Sequence, residues 1–115
     1  MVINEFIEAM MNKDHEALEA CFCEHCTFID YCPSMADRQN TFLYGPHSIN
    51  MYFHNRFMFN GFTMLDPRVT SDRTANFYVN YGGRLVHAIA EIVNYGNPEL
   101  GLDRTRIKDL VIRPA

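Results

Sequence analysis

The sequence predicts an α+β domain in which helices pack on a curved antiparallel sheet, and three observations carry that prediction. Apolar residues recur at helical spacing near the N-terminus and again after Gly45-Pro46, and the apolar period drops to two after Asn60-Gly61. No strand–helix–strand alternation of the parallel-sheet kind runs through the chain. A length of 115 residues suits one domain, 1–115, with one core. The hydrophobic content of 48% is enough to fill that core and excludes disorder on composition.

In chain order, Ile3, Phe6, Ile7, Met10 and Met11 form one stripe of a first helix, with Asn4, Glu5 and Glu8 on its wet side. Asn12-Lys13 breaks it. Asp14 then stands where an N-cap belongs, with Glu16 in the first turn of a second helix whose apolar set is Ala17, Leu18, Cys21 and Phe22. Residues 26–32 are aromatic and β-branched and stop before Pro33, as a strand does, with Cys26, Phe28, Asp30 and Cys32 on one face. The polar stretch 34–40 reads as a loop or short edge hairpin running to Tyr44. Pro46 then sits near the first position of a third helix, with Ile49, Tyr52, Phe53 and Phe57 as its buried stripe. Four strands follow, at 62–70, 74–81, 84–94 and 104–113. Ser71-Asp72 and Gly82-Gly83 are hairpin connections, the second suited to a turn with positive φ at both central positions, and residues 97–101 form the last loop.

Charge narrows the partners. A net charge of −4 with no Lys/Arg cluster points away from nucleic acid, and no apolar run approaches the roughly 18 residues that span a bilayer. The N-terminus lacks the basic start of a signal peptide, and four cysteines within 21–32 lie too close together to staple distant parts of a fold, so a cytoplasmic protein with reduced thiols is expected. The spacing C-x-C-x2-C-x5-C, with His25 inside it, is not that of paired zinc knuckles, and no metal or cofactor is expected. Nucleotide-binding loops and the metalloprotease and serine-hydrolase motifs are absent from the sequence.

Asn12-Lys13-Asp14, Leu18-x-x-Cys21-Phe22, a strand carrying Asp30, the helix start Gly45-x-x-x-Ile49 and a closing Ile107-x-x-Leu110-x-Ile112 together resemble the nuclear-transport-factor-2-like superfamily over nearly the whole chain. The resemblance implies a cone-shaped fold, three N-terminal helices on a strongly curved antiparallel sheet, with a pocket inside. That superfamily includes ketosteroid isomerases, scytalone dehydratase, polyketide cyclases and non-catalytic binding domains, so fold alone leaves function open. Asp30 falls where the ketosteroid isomerases carry the carboxylate that moves a proton beside a carbonyl. Their oxyanion hole uses a tyrosine and a protonated aspartic acid. Here those positions match Phe6 and Ile92, or Ala90 with a different gap, and none of these donates a hydrogen bond.

Asp30, flanked on its face by Phe28 and Cys32, is the candidate general base, because partial desolvation would raise its pKa. The alternative is that Asp30 accepts backbone N–H bonds from the loop after Pro33. Phe6, Phe28, Tyr52, Phe57, Ala90 and Ile92 are expected to line a site for a small, mostly apolar molecule. Tyr52 is either a substitute donor or a core residue with its hydroxyl at the rim. On strand 84–94, His87, Ile89 and Glu91 share a face too apolar for water and too charged for a core, which suits a homodimer contact. A one-residue flip would instead send His87 and Glu91 into the pocket with Asp30. Two functions follow: a domain that binds a small apolar molecule and, if it is an enzyme, works as a cofactor-free isomerase or lyase with Asp30 as general base, or a non-catalytic binding or assembly domain with a filled pocket.

Overall fold

A computed structural model describes residues 1–96 and 105–115, so the expected last loop at 97–101 lies outside the described residues. Helix α1 (Val2–Met11) buries Val2, Ile3, Phe6, Ile7, Ala9 and Met10. Met11, expected in that stripe, is 45% exposed. At 100° per residue Val2, Phe6 and Ala9 lie on one side of the helix, which pulls the stripe's centre away from Met11. Asp14 caps α2 (His15–Ala20) by accepting the Ala17 N–H at 3.0 Å. This helix is shorter than its apolar set suggested. Only Leu18 is buried within it, and Phe22 already belongs to the next strand.

Strand β1 (Phe22–Asp30) therefore starts four residues earlier and ends two earlier than expected. Cys32 precedes a 3-10 turn, Pro33–Ala36, whose proline fixes the φ that starts it. Strand β2 (Thr41–Tyr44) pairs antiparallel with β1, and α3 (Pro46–Met58) follows from Gly45 at φ +85°. The meander β3 (Thr63–Val69), β4 (Thr74–Asn80) and β5 (Leu85–Tyr95) matches the period-two segments closely, and Gly82 and Gly83 take φ values of +65° and +115°. Strand β6 (Ile107–Pro114) ends the described architecture.

The sheet order is β2-β1-β6-β5-β4-β3, and β6 runs parallel to β1 while every other pairing is antiparallel. Two expectations change accordingly. The sheet is mixed, because β6, which extends the meander antiparallel on β5 as expected, also pairs parallel with β1 on its other side. The three helices do not form an N-terminal block either, because the β1–β2 hairpin separates α2 from α3. What stands, among the described residues, is three helices on a six-stranded sheet, an α+β arrangement. No helix among the described residues is long and apolar enough to cross a membrane.

The core lies between the helices and one sheet face. Its largest members are phenylalanines, which touch in sequence: Phe22 to Phe28 at 6.2 Å, Phe28 to Phe53 at 5.2 Å, Phe53 to Phe62 at 5.2 Å and Phe62 to Tyr81 at 5.5 Å between ring centroids. The last three are edge-on, and such contacts add to burial because the positive ring edge meets a negative face. The row starts at the α1 end of the core and finishes beside Asp30.

Candidate functional site

Asp30 is the last residue of β1, and its register partner on β2 is Thr41. Strand alternation turns its side chain inward with Cys26 and Phe28, and it is only 2% exposed. Both carboxylate oxygens are engaged. The Tyr81 hydroxyl donates to Oδ2 at 2.6 Å, and the Cys32 backbone N–H donates to Oδ1 at 2.8 Å. Asp30 is thus desolvated and also accepts a backbone amide, but that amide is Cys32's, ahead of Pro33, and not one from the loop after it.

Burial pushes the Asp30 carboxyl up from an ordinary 3.8 to about 6, against the opposing pull of the Tyr81 and Cys32 hydrogen bonds. Its neighbours are raised as well. The Cys32 thiol is pushed up to about 12 by burial and then by the Asp30 charge, and Tyr81 is raised by the same two causes. Cys32 is therefore no nucleophile at neutral pH. Burial, with the charge of Cys23 behind it, lifts Cys26 to about 11. None of the four cysteines is in a disulfide, and Cys21, Cys26 and Cys32 are buried as small apolar groups.

Tyr81 was not anticipated as a partner, although a signal for it exists. It continues the inward set Ala75, Phe77 and Val79, so the period of two already pointed it at the core. Tyr52, weighed as a substitute donor or as a core residue with its hydroxyl at the rim, bonds through that hydroxyl to Thr41 Oγ1 at 3.0 Å and carries the Arg56 guanidinium over its ring. Phe6, Phe28, Phe57, Ala90 and Ile92 are buried among one another and the rest of the core. A surface depression of about 580 Å³, lined by Cys23, His25, Asn94 and Lys108 among others, lies at the opposite end of β1 from Asp30.

His87, Ile89 and Glu91 point away from this interior, since Val86, Ala88, Ala90 and Ile92 are the buried residues of β5. His87 stacks on Tyr78 at 4.5 Å, and Glu91 accepts from Arg113 at 3.1 Å. The register places Phe42, Ile29, Val111 and Glu91 in one row across this outer face. Leu65, Tyr78, Leu85 and Val93 are exposed on the same face or its margin.

Neither a protein-family model nor a curated protein matches this chain. Solved structures do. A ketosteroid isomerase-like protein from Erwinia carotovora aligns over 98% of this chain and 90% of its own with a TM-score of 0.64 and 8% identity. A nuclear-transport-factor-2-like protein of unknown function from Cytophaga hutchinsonii aligns over 99% and 87%, with TM-score 0.60 and 15% identity. A scytalone dehydratase-like protein from Novosphingobium aromaticivorans aligns over 99% and 79%, also with TM-score 0.60 and 15% identity. The chain has the nuclear-transport-factor-2-like fold, as its sequence resemblance implied.

Proposed function

We propose that this chain is a cone-shaped, non-catalytic assembly domain whose interior is filled by its own aromatic side chains and whose outer sheet face binds a second copy. The observation that carries the reading is the state of Asp30, which is 2% exposed, with both oxygens bonded within the chain and Phe28, Phe53, Phe62 and Tyr81 packed in succession up to it. A substrate would have to displace part of this core. The outer face has the opposite character: apolar side chains from several strands stand open beside charges of both signs, Arg113 and Arg68 with Glu91 and Asp109. A twofold-related copy can set such charges against their opposites while covering the apolar residues. Four cysteines with no disulfide among them suit a reducing compartment such as the cytoplasm.

Sedimentation at tens of micromolar is expected to give twice the 13.4 kDa chain mass, and Ile89→Glu, which puts a charge in the middle of the face, is expected to halve it. A monomeric wild type removes this reading.

One observation favours the alternative, a small apolar molecule handled by cofactor-free isomerase or lyase chemistry. A carboxyl raised to about 6 beside a phenol donor is the pairing of acid and base that proton transfer next to a carbonyl uses. It calls for a core that opens. Should an enolisable ketone or β-hydroxycarbonyl compound be turned over, Asp30→Asn is expected to lower kcat at least about 100-fold, and an unchanged rate sinks the catalytic reading.

A further inference from the structure

The two edges of the sheet differ in what they offer a new strand. On β3 the register shifts between Leu65 and Arg68, Asp66 sits at φ +48°, and Pro67 has no N–H to donate. A bulge and a proline are how natural edges refuse pairing. The β2 edge has neither. Thr41, Phe42, Leu43 and Tyr44 carry no charge, and their backbone is regular strand.

The direction of the β2 backbone groups follows from one bond. Gly45 donates its N–H to the Cys26 carbonyl at 2.9 Å, so Gly45 faces β1. In an antiparallel pair successive residues alternate between facing the partner and facing away. Leu43 and Thr41 therefore also face β1, while Phe42 and Tyr44 turn both N–H and C=O to the open edge. Among the described residues, no backbone bond outside the strand ladders reaches either residue, and the alternation leaves none to them from β1. The side chains of Phe42 and Tyr44 are 51% and 66% exposed, and Tyr31 meets the Phe42 ring edge-on at 6.0 Å.

We infer that the β2 edge pairs antiparallel with β2 of a second copy, joining two sheets through their backbones. The occupant is set by self-complementarity. When Phe42 of one chain lies opposite Tyr44 of the other, the twofold repeats the pair, and the free donors and acceptors of both residues are satisfied in about four hydrogen bonds. Each Phe42 ring then lies beside a Tyr44 ring, a favourable cross-strand pair. Because the far edge of each sheet is blocked at Asp66-Pro67, edge-to-edge pairing closes at two sheets. The contact uses backbone groups at the edge, whereas the face contact proposed above uses side chains of the outer face, with Phe42 at the margin where the two meet.

Amide exchange followed by NMR on the full chain tests it. Raising the concentration from about 10 µM to about 1 mM is expected to slow the Phe42 and Tyr44 amides about tenfold or more, while Leu43, already bonded to β1, changes little. Exchange at Phe42 and Tyr44 that is equally fast at both concentrations overturns the inference. Phe42→Pro removes a donor that faces only the edge and leaves the β1 ladder whole, so it is expected to halve the mass of the edge-joined species. If Ile89→Glu lowers the native mass and Phe42→Pro does not, the face contact holds and the edge contact falls. The reverse result keeps the edge and removes the face.

Discussion

Strand β5 passes through both surfaces of the sheet, and its alternate residues meet different conditions. Val86, Ala88, Ala90 and Ile92 are buried against the helices, while Leu85 on the other side is 59% exposed. Inside, the side chains interlock with phenylalanines from β1, α3 and the segment before β3, and the polar group Asp30 is fully bonded. Outside, apolar residues alternate with charged ones and pack on few neighbours. The inner surface thus determines this fold, and the outer surface is left exposed.

The sharpest test of that contrast removes a ring from the inner side. Phe53 touches Phe28, Tyr52, Phe57 and Phe62, so Phe53→Ala leaves a cavity at the crossing of four contacts and is expected to cost about 3–5 kcal/mol in urea unfolding. A cost below about 1 kcal/mol would mean that the inner surface is loosely packed, and the filled-interior reading would go with it.

A smaller effect, with a definite sign, comes from Asp30. Its folded pKa of about 6 lies above the ordinary 3.8, so the fold favours the protonated carboxyl. The associated stability is complete below about pH 4 and is lost as pH rises through 6, with a span on the order of 3 kcal/mol. Asp30→Asn keeps an oxygen for the Cys32 N–H and carries no charge. Its unfolding free energy is therefore expected to rise relative to wild type between pH 4 and pH 7. A difference that stays flat across that range would show that Asp30 is solvated, as an outer-surface residue would be.

The elements that were legible in the sequence are those made by local pattern. The period of two from 62 onward, the paired glycines at 82 and 83, the Asp14 cap and the inward Asp30 each depend on residues a few positions apart. What was missed depends on distant partners. The first turn of β1 was hidden because Cys23-Glu24-His25 is polar, and its strand character comes from pairing of Phe22 with Ile107. The Asp30–Tyr81 bond joins residues 51 positions apart, and no local rule selects Tyr81 over Tyr52. The mixed sheet was missed for the same reason, since the partner of the last strand is decided by topology.

Strand β6 follows every other described strand in the chain, yet it lies in the middle of the sheet, parallel to β1 and antiparallel to β5. The hairpin β1–β2 and the meander β3–β4–β5 touch as a sheet only through it. During synthesis from N- to C-terminus, β1 and β5 must each wait with an unpaired edge until β6 has left the ribosome. The sheet is therefore complete only once that central strand has arrived, and the interval before it is when a nascent chain is most open to pairing with the wrong neighbour.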